Sequence, residues 1–74
     1  MRLRYLRYFI TVPEELSFKR ASTRLHIEPS PMSRAIGKLE NDVGVELLQR
    51  KKGRIRLTEA GDAFRKEARR ILSL

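Results

Sequence analysis

The sequence predicts a mainly α-helical domain carrying one short β-hairpin. Three observations lead there. Apolar residues recur at helical spacing in four stretches, punctuated by proline, serine, threonine or glycine. Between the third and fourth stretches the pattern changes to alternation, in Arg54-Ile55-Arg56-Leu57 after a Lys-Lys-Gly turn. With 74 residues, 41% of them hydrophobic, the chain has material for a single small core near the lower limit for independent folding.

The first helix is predicted from Leu3, Leu6, Phe9 and Ile10, with Arg2, Arg4 and Arg7 on the other side. It is expected to end near Pro13, whose ring clashes with the carbonyl of Phe9 in a regular helix. Ser17 caps a second helix in "SFKRASTRLH", with Phe18, Ala21 and Leu25 on one face. A short turn from His26 to Pro29 leads to the third helix in "IEPSPMSRAIGKLE". Here Ser30 is expected as N-cap and Pro31 as first helical residue, where no amide donor is needed.

A wheel of this third helix, at about 100° per residue, separates two faces. Met32, Ile36, Leu39 and Val43 fall on a narrow core face, and Gly44 is a natural stop. Ser30, Arg34, Gly37, Lys38 and Asn41 fall roughly opposite, with Ser33 at the edge. The outward face thus carries small residues, hydrogen-bonding groups and positive charge. The hairpin follows from Leu47 and Leu48, a Gln-Arg-Lys-Lys-Gly stretch and the alternating strand. Ile55 and Leu57 are expected to face the core, and the tip to present Arg50, Lys51, Lys52, Arg54 and Arg56. Thr58 then caps the last helix, with Glu59 in its first turn and an apolar row of Ala60, Phe64, Ala68, Ile71 and Leu72, of which Ala60 to Ala68 suit packing on the first helix as well as a partner helix.

Charge selects among functions. Seventeen Lys and Arg against nine Asp and Glu give a net charge of +8, which in so small a domain points to a polyanion. Cations crowded around a tight turn suit DNA phosphates or the negative potential of a narrow minor groove. The arginine-interrupted amino terminus is neither a signal peptide nor a membrane span. The absence of cysteine excludes disulfides and thiolate metal sites and fits the cytoplasm. A single histidine, His26, is read as a turn residue, so no metal site, cofactor or catalytic constellation is expected and the chain is not read as an enzyme. RNA binding is the competing reading, and it calls for exposed aromatics that stack on bases. Tyr5, Tyr8, Phe9, Phe18 and Phe64 instead fall at or beside core positions, which favours duplex DNA.

The pieces "LRYLRYFITV", "SFKRASTRL", "PSPMSRAIGKLENDVGVELLQR" and "RLTEAG" resemble, in order and spacing, the amino-terminal domain of LysR-type transcriptional regulators. The resemblance covers essentially the whole chain. It implies a winged helix-turn-helix over residues 1–58, with the motif at about 18–37 and the wing at about 47–57. Residues 59–74 would begin a linker helix that forms dimers. The DNA-binding set becomes Pro29, Ser30, Pro31, Ser33, Arg34, Gly37 and Lys38 of the recognition helix with Arg50, Lys51, Lys52 and Arg54 of the wing. The implied partner is a pseudo-palindromic promoter site. The implied assembly is a homodimer, weak in so short a chain, with Phe64, Ala68, Ile71 and Leu72 at the seam. Two departures stand out. Pro29 occupies a position where the family commonly has glutamine, which shifts base reading to Ser30, Ser33 or Arg34, and Pro13 should shorten or kink the first helix. Family members continue into an effector-binding domain, so the chain is read as a fragment of a longer regulator.

Overall fold

A computed structural model describes residues 2–74, and within them the chain runs as three helices, a hairpin and a fourth helix. Helix α1 spans Leu3–Glu15 and buries Leu6, Phe9, Ile10 and Val12. Leu3 shares their spacing but stays 63% exposed, because the core closes over the turn that holds Leu6. Contrary to expectation, the helix runs through Pro13 to Glu15. The proline lies in the last turn, so its missing donor interrupts one bond. The Leu16 amide then closes the end by donating to the Val12 carbonyl at 2.8 Å.

Helix α2 spans Phe18–Leu25 and begins as expected: the Ser17 hydroxyl accepts the Arg20 amide at 3.1 Å. His26 ends it in the left-handed region, with φ 58°. The His26 amide donates to the Thr23 carbonyl at 3.2 Å and the Ile27 amide to the Ser22 carbonyl at 3.0 Å, a Schellman closure that turns the chain sharply.

Helix α3 spans Pro29–Val43 and starts two residues earlier than the sequence predicts. Glu28, not Ser30, is the N-cap, in extended conformation and without a side-chain capping bond. The first helical positions have no intrahelical amide partner, so both Pro29 and Pro31 are accommodated there without losing a bond. Met32, Ile36 and Leu39 are buried as the wheel requires, joined by Ala35. Val43 is 37% exposed, since the helix stops at Gly44 (φ 85°) where the chain leaves the core.

Strands β1 (Leu48–Lys51) and β2 (Arg54–Leu57) form an antiparallel hairpin in which Leu48 pairs with Leu57, Gln49 with Arg56, Arg50 with Ile55 and Lys51 with Arg54. The connecting residues Lys52 and Gly53 both have positive φ, 52° and 73°, the backbone of a type I′ turn that matches strand twist. Helix α4 spans Glu59–Leu72, and the Thr58 hydroxyl accepts the Gly61 amide at 2.9 Å. Helix α1 packs against α2, α3 and α4, which places it at the centre of the domain. The rings of Phe9 and Phe64 meet edge to face at 5.6 Å, fixing α4 against α1. The apolar row of α4 therefore turns inward: Ala68 is fully buried and Phe64 and Leu72 pack on the core, while Ile71 remains 59% exposed. Ala68 is accordingly unavailable as a seam between two copies.

Candidate nucleic-acid interface

The outward strip of α3 is exposed along its length. Pro29, Ser30, Pro31, Arg34, Gly37, Lys38 and Asn41 all face solvent, and Ser33 is half-buried at the edge toward the hairpin. No group lies within 4 Å of where a Gly37 side chain would project, so the middle of the strip offers bare backbone to an approaching surface. The abrupt start at Pro29 and the turn at His26 hold this strip clear of α2.

The two edges of α3 have different neighbours. On one, the Glu40 carboxylate accepts the amides of Leu47 at 2.7 Å and Leu48 at 3.1 Å. These bonds anchor the root of the hairpin to α3. The opposite side of that root is held by α4. The Thr58 hydroxyl donates to the Glu46 carbonyl at 2.7 Å and the Thr58 amide to the Leu47 carbonyl at 3.0 Å. Gly61 packs so closely that a methyl group there would fall inside the Leu47 carbonyl oxygen. Two sequence motifs thus converge on one backbone segment: the Glu closing "SRAIGKLE" and the Gly closing "LTEAG" both fix Leu47.

The hairpin's cations separate into two groups, which corrects the expectation that all five sit together at the tip. Lys51 and Arg54 pair across the strands, Gln49 and Arg56 likewise, and directly opposed residues share a face. Lys51, Lys52, Arg54 and Arg56 line a common exposed cavity. Arg50 pairs with Ile55 and so lies on the other face, toward the helices. Its guanidinium sits 4.1 Å from the centre of the Phe18 ring and donates to the Ser33 hydroxyl at 3.1 Å. Arg50 bridges the first residue of α2, the edge of α3 and the hairpin. Taking Lys52-Gly53 as a two-residue turn would have set the register and put Arg50 on this face; Glu40 and Gly61 carry no such signal, because their partners are backbone atoms distant in sequence.

The acidic groups reinforce this asymmetry. Arg24 bonds to Glu14 at 2.9 Å and to Glu15 at 3.3 Å, and those bonds, Glu14 first, hold its guanidinium above the usual arginine range. Arg69 also reaches Glu14, Arg20 reaches Glu15, and Asp62–Lys66 and Glu67–Arg70 pair along α4. Those pairs lie on α1, α2 and α4. Among the described residues, no carboxylate lies within ion-pair distance of Arg34, Lys38, Lys51, Lys52, Arg54 or Arg56. The α3 strip and the hairpin, which Glu40 ties together, thus carry cations without an ion pair among the described residues, as does α1 at Arg4 and Arg7. Among the described residues no group of acids, histidines or cysteines could hold a metal ion, and no helix is long and apolar enough to cross a membrane.

Residues 3–62 match the family model described as bacterial regulatory helix-turn-helix protein, lysR family. The chain is 47% identical to the HTH-type transcriptional regulator BudR of Klebsiella aerogenes over 74 residues, which is all of this chain and 52% of BudR. It is 47% identical to the HTH-type transcriptional regulator AlsR of Bacillus subtilis (strain 168) over 72 residues, 97% of this chain and 24% of AlsR. The chain therefore spans about half the length of one relative and about a quarter of the other. Its fold superimposes on the solved CbnR_DBD–DNA complex with a TM-score of 0.94 at 46% identity, covering 99% of this chain and 84% of that one.

Proposed function

The chain belongs to the lysR family of bacterial regulatory helix-turn-helix proteins, and from that premise we propose that it binds double-stranded DNA sequence-specifically as part of a transcriptional regulator. The observation that carries this reading is the exposed strip of α3, whose Arg34 and Lys38 have no carboxylate within ion-pair distance among the described residues, tied through Glu40 to a cationic hairpin. A helix of these dimensions enters a major groove, and the hairpin then meets the neighbouring backbone or minor groove. Ser30, Ser33 and Arg34 are the base-reading candidates; Lys51, Lys52 and Arg54 are the backbone candidates, with Arg56 beside them. Arg50 braces the two elements through Phe18 and Ser33 and presents its remaining donors to a phosphate. The solved DNA complexes of CbnR_DBD and BenM_DBD support the assignment by their likeness to this chain.

The reading includes no catalysis, in keeping with relatives named as transcriptional regulators, and a regulator of a bacterial promoter would act in the cytoplasm. Pairing of two copies across a pseudo-palindromic site would use the outer end of α4, where Ile71 is exposed beside the half-buried Leu72. The contact is small because Ala68 is buried and Phe64 is half-buried against α1.

Titration of mixed-sequence duplex DNA against duplex RNA of the same sequence and at the same salt tests the proposal. Tighter binding to DNA is expected, because the deep, narrow RNA major groove excludes a helix. Equal or tighter binding to RNA would overturn it.

A further inference from the structure

The edge of α3 opposite Glu40 and Ser33 borders a second feature. Pro31, Arg34, Ala35 and Lys38 follow the spacing of a single helical stripe, and together with Arg4, Tyr5, Tyr8 and Ile27 they line a cleft of about 330 Å³ between α1 and α3. Three cations from two elements converge on it, and among the described residues none of the three has a carboxylate within ion-pair distance. Arg4 is also positioned: its guanidinium carbon lies 5.7 Å from the centre of the Tyr5 ring, and that ring lies 6.3 Å from Tyr8. The floor is rigid, since Tyr8 and Ile27 pack on the core and Ala35 is buried. Neighbouring like charges held by rigid elements repel one another until an anion enters.

We propose that this α1–α3 cleft is a phosphate site, in which Arg4 and Lys38 hold a phosphodiester of the DNA backbone on the side of α3 away from the hairpin, beside the base edge that Arg34 faces. The inference rests on the DNA-binding reading and deepens it. The recognition helix would be flanked on both sides, by the hairpin cations on one strand and by α1 on the other. Two flanking contacts fix the rotation of α3 about its own axis, which a hairpin alone does not. Tyrosine hydroxyls add uncharged donors to backbone oxygens, and such contacts position a protein without reading sequence.

The test compares Arg4→Gln with Arg7→Gln on a mixed-sequence duplex over a range of salt. The two changes remove the same charge from the same helix, but Arg7 lines a different cleft, with Glu14, Arg24 and Arg69. Arg4→Gln is expected to weaken binding and flatten the plot of log K against log salt by about one unit, the share of one phosphate, while Arg7→Gln leaves the slope near that of the unaltered chain. Thermal melts of both variants should match the unaltered chain, as both side chains are exposed. Equal slopes for Arg4→Gln and the unaltered chain would overturn the cleft alone. So would equal losses in both variants, which would mean that only net charge matters. An unaltered chain that bound no duplex would overturn the DNA-binding reading together with the cleft.

Discussion

The Glu40 carboxylate accepts the amide proton of Leu47 at 2.7 Å, joining the last turn of the recognition helix to the root of the hairpin. A second bond, from the Leu48 amide at 3.1 Å, completes the clamp. Hydrogen bonds to a charged acceptor contribute about 1.5–3 kcal/mol, and truncation strands two part-buried amides. Glu40→Ala should therefore lower the melting temperature by at least about 6 °C, at about 4–8 °C per kcal/mol for a domain of this size. Glu40→Gln, which keeps one acceptor, should fall between the two. Melting by circular dichroism settles the order; an unshifted Glu40→Ala would show that the hairpin root is held by α4 alone.

Glycine substitutions should have opposite signs at two helical positions. Replacing an exposed mid-helix glycine with alanine ordinarily stabilises by about 1 kcal/mol. Gly37 is exposed with open space around it, so Gly37→Ala should raise stability while weakening DNA binding through the methyl group added to the binding strip. Gly61→Ala should destabilise, because its methyl collides with the Leu47 backbone and neither α4 nor the hairpin root can move without breaking the Thr58 bonds. A stabilised Gly61→Ala would refute the close packing assigned to that motif.

The hairpin tip allows charge to be removed without disturbing the fold. Lys52 has φ 52°, a conformation that asparagine adopts more readily than most side chains, and Asn-Gly is the preferred pair in such turns. The double variant Lys51→Gln, Lys52→Asn should keep its melting temperature and bind all duplexes more weakly, with the salt slope flattened by about two units. A salt slope equal to that of the unaltered chain would remove both lysines from the interface.

Self-association should be weak and confined to one end of α4. Stable interfaces bury roughly 800 Å² per partner, and the large apolar side chains of α4 open to solvent are the exposed Ile71 and the half-buried Phe64 and Leu72. Sedimentation should show mostly monomer without DNA, and Ile71→Asp should abolish cooperative occupancy of a duplex carrying two half-sites. Cooperativity that survives Ile71→Asp would locate the seam elsewhere.

Much of this was legible in the sequence because it depends on local rules. Helical spacing identified Leu6, Phe9, Met32, Ile36 and Leu39 as core, and the caps at Ser17 and Thr58 follow from side-chain chemistry within three residues. Periodicity alone was insufficient at the ends of elements. Leu3 and Val43 have the right spacing yet stay exposed, because the core covers only the middle turns of their helices. The early start of α3 at Pro29 was missed because Ser30 is a good cap in isolation, whereas Pro29 is as well suited to the first helical position as Pro31. The division of the hairpin cations depends on register, and the clamp on Leu47 depends on contacts between residues distant in the chain. The spacing within α4 allows Ala68 to face either α1 or a partner helix, and the packing of α4 against α1 decides for the first.

The central claim is that α3 reads base sequence, and selection of bound duplexes from a randomised pool tests it most directly, with the unaltered chain and Arg34→Ala run in parallel. A bidentate arginine contact discriminates one base by about 1–3 kcal/mol. The unaltered chain should enrich a defined motif, and Arg34→Ala should enrich the same motif with one position relaxed. If the unaltered chain enriches no motif, or if Arg34→Ala leaves every position of the motif unchanged, α3 does not read sequence through Arg34 and the account is contradicted.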